Sequence, residues 1–509
     1  MRITFLGHVG LFVETRHGSV LCDPWFSPAY FASWFPFPRN DDLDPERFAN
    51  PDFLYVSHLH RDHFDPEFLA RHVGKDARVL LPDFPVPMLE RELRALGFRY
   101  FVATRDHEPI EIDGLEIAIL AMTAPADGPL GDSALVLSDG TTRMLNQNDA
   151  RPGDPATLQA LGPYDAQFLQ FSGAIWYPIA YKFPPEEKAR LAREKRVNQM
   201  ARARQYIDWV KAAHVFPCAG PPCFLDDELF ALNDLEDDPH NIFPDQTVFL
   251  DELRIAGIDN AHMIVPGSVI EIDEAGCTVT PPDAGADTRP FADKAAYLAG
   301  YQRDWTDWIA SERASWSAGR RDLVGELAAW FEPLLERAPI TSAGIAGNVV
   351  IDVGDEAICI DFVDSVVRPW TGEPFVYKVD TDRRLIEALV ERHVEDWVNS
   401  FFLSCRFRAE RSGPFNEYVM TFFKALSLER IAFVERSYRR ARRPDEFFER
   451  DGYRIERWCP HRQADLTRFG EITDGVLTCS LHHWQFDLET GRCLTSDDRH
   501  LRCERLAEE

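Results

Sequence analysis

The sequence has no excess of positive charge. It contains 55 Lys and Arg residues against 84 Asp and Glu residues, and its formal net charge at pH 7 is -29. Nucleic acids and anionic membrane surfaces are bound through clustered basic side chains, because both carry negative charge. The composition therefore argues against nucleic acid and membrane as partners.

The sequence also lacks an apolar run long enough to span a membrane. No secretory leader is expected either, since residues 1–7 read directly as a first strand. Its ten cysteines show no spacing typical of a disulfide framework. These absences predict a cytoplasmic protein, because a reducing compartment keeps thiols free. What the chain does have is length: 509 residues, 45% of them apolar, suffice for about three domains.

Two short Cys-His motifs stand near the end of the chain, Cys459-Pro-His461 and Cys479-Ser-Leu-His482. A Rieske [2Fe–2S] cluster needs this set of ligands, with two thiolates on one iron and two imidazoles on the other. Zinc is the rival, because two Cys and two His also form a tetrahedral site. The interval 467–477 reads as strand, turn and strand and not as a zinc-finger helix. The motifs resemble those of Rieske domains, which implies an all-β domain at 441–509 that binds the cluster through these four residues.

A second group of metal-ligand residues lies near the start of the chain. The predicted strand 53–57 runs directly into His58-Leu-His60-Arg-Asp62-His63, which places several ligand-type side chains on one loop. The motif, together with Gly7-His8 and Asp23-Pro24-Trp25, resembles the metallo-β-lactamase family. The resemblance implies an αββα sandwich over residues 1–285, with metal bound at the ends of the sheets.

The later ligands that this family uses are only partly present. Asp149 follows a predicted strand at 142–145 and matches the family's bridging Asp, and Asp132 opens the strand before it. The family's intervening His is missing, and Asp127 is the only donor in 123–129. A set of His and carboxylate ligands with open positions suits non-haem Fe(II), and zinc remains the alternative. The predicted metal ligands are His58, His60, Asp62, His63, Asp149 and Asp132, with Asp62 and Asp149 as the catalytic carboxylates.

Residues 1 to about 270 also resemble CMP-N-acetylneuraminate hydroxylase. The resemblance rests on the His-rich loop, on Leu145–Pro152 and on the loop 172–178. That family joins a Rieske centre to a metallo-β-lactamase-like domain, but with the Rieske part at the N-terminus, whereas here it is C-terminal. The helix predicted from about 185 to 213 is rich in Lys and Arg, which indicates either a solvated face or a surface for a phosphate or an acidic ferredoxin.

The stretch 286–440 is predicted to be a mixed α+β domain. Helices are expected at 290–312, 320–337 and 382–391, and strands near 347–353, 357–362, 366–368 and 375–379. Their order resembles the sterol-carrier-protein-like domain. The resemblance leaves its role open between a spacer that docks the Rieske domain, a dimerisation unit and a ligand tunnel. The whole chain is thus predicted to be an α/β multidomain protein.

Two metal centres in one chain predict a Rieske-type non-haem iron monooxygenase. It would use O₂ and electrons from NAD(P)H, delivered through a separate ferredoxin or flavin reductase. The substrate would be a polar small metabolite, nucleotide-sugar-like or a natural-product intermediate, hydroxylated or oxygenated at nitrogen. Electrons would cross within a subunit or between subunits of a homo-oligomer. Two alternatives stay open: a metal-dependent hydrolase with a redox-sensing Rieske domain, and an electron-transfer protein whose metal domain has decayed.

Overall fold

The computed structural model describes residues 1–123, 129–173, 175–233, 240–317, 320–440, 446–496 and 499–506. The chain divides into two compact units. The first comprises Met1–Met122, Leu130–Ile175 and Pro185–Arg313, and the second consists chiefly of Trp176–Pro184 and the chain from Ala314 onward. Asp127 lies outside the described residues, so its predicted place as a donor has no structural counterpart here.

The first unit contains two sheets. The strands of the larger sheet, in spatial order, are Gly276–Thr280, Val269–Asp273, Arg2–Gly7, Gly10–Thr15, Gly18–Cys22, Phe53–Tyr55, Arg78–Leu81 and Tyr100–Ala103. Those of the smaller sheet are His214–Cys218, Ala166–Gln170, Arg143–Asn148, Asp132–Ser138, Leu115–Met122 and Ile110–Ile112. One buried cluster joins residues of both sheets, among them Phe5, Val20, Leu135 and Phe168. The sheets therefore pack face to face.

The described residues of the first unit also form helices. They are Pro66–His72, Met88–Ala95, Pro155–Ala160, Pro185–Val210, Gln246–Ile255, Arg289–Ala292 and Lys294–Ser315, with 3₁₀ turns at Pro45–Phe48 and Phe230–Asn233. A second apolar cluster packs Leu54 of the larger sheet against Phe68 and Leu93 of two helices. The predicted αββα sandwich is confirmed. The first unit extends to Arg313, whereas the sequence prediction ended this domain at residue 285.

Parallel strands determine where the polar loops meet. In the larger sheet Gly18–Cys22 and Phe53–Tyr55 are parallel, and in the smaller sheet Arg143–Asn148 is parallel to Ala166–Gln170. The loops that leave the carboxyl ends of these strands carry Asp23, the His-rich motif and Asp149.

The second unit begins with a five-stranded sheet and its helices. The strands, in spatial order, are Val366–Pro369, Ala357–Asp361, Asn348–Asp352, Tyr377–Thr381 and Phe407–Arg411. The helices are Leu323–Leu335, Pro339–Ile345, Arg383–Glu391, Glu417–Phe423 and Leu428–Arg440, with a π-helical turn at Val398–Phe402. Phe331, Trp397 and Phe423 pack together in its interior. The predicted α+β domain is confirmed, and these aromatic side chains form its core.

The last part of the second unit is built from two three-stranded sheets. One contains Phe447–Arg450, Tyr453–Glu456 and Cys503–Arg505, and the other contains Gly470–Thr473, Val476–Cys479 and Trp484–Asp487, with a short helix at Leu466–Phe469. Asp474 and Gly475 turn the second sheet's hairpin with φ of 50° and 77°, which suits a two-residue hairpin loop. The predicted strand, turn and strand before Cys479 are confirmed from Gly470 onward, whereas residues 467–469, where the prediction began its first strand, belong to the short helix. Among the described residues, no helix has the length and apolar character needed to cross a membrane.

Candidate metal centres

Asp23 and Ser57 hold the His-rich loop of the first unit in place through hydrogen bonds. The backbone N–H and the hydroxyl of Ser57 each donate to the Asp23 carboxylate at 2.7 Å. The same carboxylate lies 3.1 Å from Nδ1 of His63. Asp23 and Ser57 are both fully buried. With Nδ1 donating to Asp23, Nε2 of His63 keeps its lone pair for a metal, which is the usual arrangement behind a ligating imidazole.

Six side chains of possible metal ligands lie close together beside Asp23 and Ser57, in two groups of three. One group is His58, His60 and Asp149, and the other is His8, Asp62 and His63; within each group the candidate ligand atoms lie within 4.8 Å of one another. The two groups adjoin, since Nε2 of His63 is 3.6 Å from Asp149 Oδ2. The rings of His58 and His63 are 4.1 Å apart between centroids. Asp149 therefore lies where one carboxylate can reach metal ions in both groups.

Three buried atoms of this site indicate that it is built for a cation. Nε2 of His58, Nε2 of His63 and Oδ1 of Asp149 are buried, and none has a hydrogen-bond partner among the residues that the structure describes. A buried polar atom without a partner costs about 1–3 kcal/mol. A metal ion that accepts all three lone pairs removes this cost, so the residues fit one or two bound metal ions.

The charges of the site also favour a bound cation. Burial lowers the pKa of His58 well below its usual value, and His63 and His60 lower it further, so this imidazole is neutral and ready to bind metal. Burial opposes ionisation of Asp62, but His63 and His8 outweigh it and hold the Asp62 pKa well below its usual range. Burial likewise opposes a charge on His63, yet Asp149 and Asp62 raise its pKa to about 10, so a metal ion that binds Nε2 would take the place of a proton there. The buried carboxylates thus attract positive charge.

Five of the six predicted ligands come together here: His58, His60, Asp62, His63 and Asp149. Asp132 is placed differently, with Oδ1 3.3 Å from Nδ1 of His58, while the buried Nε2 is the atom that meets the site. Asp132 is therefore positioned to orient His58, and its predicted part as a direct ligand is not reproduced by this geometry.

His8 is the site residue that sequence reasoning missed. Its Nε2 lies 3.0 Å from Asp62 Oδ2, and the Tyr30 hydroxyl donates to the other Asp62 oxygen at 2.6 Å. His8 follows the first strand in a turn where Gly7 and His8 have φ of 106° and 52°. The sequence feature that could have indicated His8 is a Gly-His pair at the end of a strand in the same sheet as the His-rich loop.

The second centre lies in the C-terminal part of the second unit. Cys459 and Cys479 are buried, and the Cys459 thiol donates to Cys479 and lowers the Cys479 pKa. The His461 and His482 rings are 5.0 Å apart between centroids, at an angle of 84°. His461 also lies flat against Trp484, with ring centroids 4.0 Å apart. Two adjoining thiols and two adjoining imidazoles on separate loops fit a Rieske [2Fe–2S] cluster.

A carboxylate from the α+β part reaches this second centre. Oε2 of Glu417 lies 3.3 Å from Nε2 of His461, and Arg499 donates to Oε1 of Glu417 at 2.6 Å. The Glu417 side chain is 5% exposed and that of His461 is 10% exposed. In the structure, Glu417 and Arg499 lie beside His461.

Comparisons with known proteins agree with these observations. Residues 443–503 match the Rieske [2Fe-2S] domain, and residues 323–440 match the Rv3818-like, SCP2-like domain. Hydroxylases match part of the chain, and two of them illustrate the similarity. The 4-amino-L-phenylalanyl-[CmlP-peptidyl-carrier-protein] 3-hydroxylase of Streptomyces venezuelae is 26% identical over 42% of this chain and 43% of its own. The cytidine monophosphate-N-acetylneuraminic acid hydroxylase of Pongo pygmaeus is 32% identical over 43% of this chain and 38% of its own.

Some relatives match the chain over nearly its whole length. A protein of Mycolicibacterium smegmatis, named as a Rieske 2Fe-2S iron-sulfur protein, is 47% identical over 99% of this chain and 100% of its own. This chain thus joins a Rieske domain and an SCP2-like domain to a metallo-β-lactamase fold, and the similarity to hydroxylases supports an oxygenase-type function. This chain belongs to the family of Rieske 2Fe–2S iron–sulfur proteins to which the mycobacterial protein belongs.

Proposed function

We propose that this protein is a non-haem iron monooxygenase that hydroxylates, or oxygenates at nitrogen, a polar small molecule. The observation that carries the proposal is the presence of two different metal-ligand sets in one chain. One is the Cys₂His₂ set of the Rieske domain, and the other is the His and Asp set of the metallo-β-lactamase fold. A Rieske cluster transfers single electrons, and a redox-active metal held in the same chain can receive them.

Iron is the metal that we assign to the site in the first unit. Imidazole and carboxylate ligands with open positions suit non-haem Fe(II). When bound there, iron supplies O₂ activation, with electrons from the [2Fe–2S] cluster. The protein's own part is to hold the ligands. Asp23 and Ser57 orient His63, His8 and Tyr30 orient Asp62, and Asp149 lies between the two ligand groups.

A cationic face beside the site supports an anionic substrate. Burial lowers the pKa of Lys195, and the nearby charges of Arg151 and Arg202 lower it further, to about 7. Arg151 follows Asp149 by two residues. The helix that carries Lys195 packs on this loop, because the Tyr206 hydroxyl donates to the Pro152 carbonyl at 2.8 Å. Positive side chains at this place would bind a phosphate or carboxylate of the substrate.

Electrons reach the cluster, in this proposal, from NAD(P)H through a ferredoxin or flavin reductase. Transfer from cluster to iron then occurs within one chain or between two copies. Mixing a variant that lacks the cluster ligand Cys479 with one that lacks His60 distinguishes these routes. Only transfer between copies restores activity in the mixture.

The test of the proposal is oxygen consumption. Protein loaded with iron is supplied with a reductant and a reductase, and O₂ uptake is recorded for the wild type and for His60→Ala. The proposal expects uptake by the wild type and its loss in the variant, with the cluster's absorption spectrum unchanged. Equal uptake by both proteins would overturn it.

A metal-dependent hydrolase is the second candidate, and the finding of His8 favours it. With His8 the site offers six donors in two groups of three, which also suits two zinc ions in the hydrolytic manner. Zinc-loaded protein would then cleave an ester or phosphodiester without O₂. Hydrolysis by the zinc form, with no O₂ uptake by the iron form, would decide for this candidate.

A further inference from the structure

A third set of metal-ligand side chains lies in the first unit, away from the site described above. His214, His262 and Cys277 each offer one ligand atom, and these atoms lie within 4.8 Å of one another. All three side chains are only partly buried, so solvent reaches them. Nothing in the oxygenase proposal uses these residues.

The set is distinct from the first site because it lies at the opposite end of the smaller sheet. His214 begins its strand and is level with Ala166 and Met144 in the parallel register. Asp149 stands five residues beyond Met144. At about 3.3 Å of rise per residue, roughly 15 Å of strand separates His214 from Asp149.

Backbone contacts fix His262 beside His214. The His262 N–H donates to the Val215 carbonyl at 2.9 Å, and its ring lies 5.1 Å from that of Phe216, at 22°. Asn260 donates to the carbonyls of Ala212 and Ala213, each at 3.0 Å. The segment that carries His262 is therefore held along the edge of the smaller sheet.

Cys277 comes from the edge strand of the other sheet. It pairs with Ile272 in the antiparallel hairpin, and in its strand it is one of the two residues that turn inward, with Val279. The three donors thus join the edges of the two sheets.

The distances suit a single small cation. Nδ1 of His214 lies 3.0 Å from Nε2 of His262. In a tetrahedral zinc site, bonds of about 2.0–2.1 Å place two nitrogens roughly 3.3–3.4 Å apart. A shift of a few tenths of an ångström therefore converts the hydrogen-bonded pair into two ligands.

We propose that His214, His262 and Cys277 form a binding site for Zn²⁺, with water in the fourth position. Two imidazoles and one thiolate are ligands that zinc prefers, and three protein ligands leave one position open. On binding, the Cys277 thiol gives its proton to water and its sulfur bonds to the metal. The ion would tie the strand Gly276–Thr280 to the strand His214–Cys218, and so join the two sheets at their edges.

The test measures zinc in the holoprotein. Wild type, Cys277→Ser and Cys503→Ser are dialysed against zinc chloride, the bound zinc is counted, and the zinc X-ray absorption fine structure is recorded. Cys503 is the matched control, because it is also a partly buried free thiol on a strand. We expect Cys277→Ser to lose one zinc per chain and the zinc–sulfur scattering at about 2.3 Å, while Cys503→Ser retains both.

Equal zinc content in wild type and Cys277→Ser, or no sulfur neighbour in the wild type, would overturn the proposal. If Cys277→Ser does not fold, the zinc content of His214→Gln is measured instead, because His214 lies at the start of its strand. This variant must also lose one zinc per chain. Binding of Cu⁺ in place of Zn²⁺ with the same residue dependence would overturn the choice of metal. A variant of the first site, His60→Ala, must retain the zinc–sulfur signal, so this result does not depend on the oxygenase proposal.

Discussion

Replacing Glu417 by Gln is expected to raise the reduction potential of the Rieske cluster. The Glu417 carboxylate lies 3.3 Å from His461 Nε2 and is 5% exposed. Reduction adds a negative charge to the cluster, and a nearby buried carboxylate opposes that charge. Gln has the same shape without the charge, so the reduced state becomes easier to form.

The size of the effect follows from the strength of the contact. An interaction with a charged group is worth about 1.5–3 kcal/mol. A one-electron potential moves by about 59 mV for a tenfold change in the equilibrium constant, which is about 1.4 kcal/mol. If half of the interaction differs between the two oxidation states, the expected increase is roughly 30–65 mV.

The assay is a redox titration followed by electron paramagnetic resonance of the reduced cluster. Glu429→Gln serves as the control, because Glu429 is an exposed residue of the same domain. It removes the same charge from the surface and is expected to leave the potential unchanged. A potential for Glu417→Gln that stays at the wild-type value, or falls, would refute the reasoning.

Three further predictions concern the first unit. His8→Ala is expected to lower the iron content outside the cluster, measured by elemental analysis, because His8 holds Asp62 at 3.0 Å; unchanged iron would contradict its place in the site. Asp23→Ala is expected to lower the free energy of unfolding by about 3–5 kcal/mol in denaturant titrations, because it leaves buried partners unpaired; a loss under about 1 kcal/mol would speak against this role. Lys195→Met is expected to weaken binding of sulfate, an anion whose charge does not change near pH 7, measured by calorimetry. Wild-type affinity should fall as pH rises through about 7, because Lys195 then loses its proton; a pH profile shared by both proteins would reject Lys195 as the cause.

The ligands that stand close together in the sequence could be predicted from it. The His-rich loop follows directly on a strand, and the two Cys-His motifs have a spacing that few other sites use. Asp149 was found because it ends a strand that the metallo-β-lactamase fold places beside this loop. In each case the local pattern carries the chemistry.

The site residues that the sequence did not reveal are those whose partners lie far away in the chain. His8 is 54 residues from Asp62, and the Gly-His pair that contributes to the family resemblance does not itself show that the two side chains meet. Glu417 belongs to a helix of another domain, and nothing near it shows that it would meet His461. Such contacts depend on packing between elements, which periodicity and spacing do not report. Asp132 remains a predicted ligand, and only the side-chain geometry shows that its Oδ1 faces Nδ1 of His58.

The central claim is that the His and Asp site uses electrons from the cluster to react with O₂. The most direct test reduces the iron-loaded protein without air, mixes it with O₂ and follows reoxidation of the cluster by stopped-flow absorption. The account predicts rapid reoxidation in the wild type and a rate lowered at least about tenfold in His60→Ala, equivalent to about 1.4 kcal/mol of barrier, with the cluster intact in both. Equal rates of reoxidation in the two proteins would contradict it.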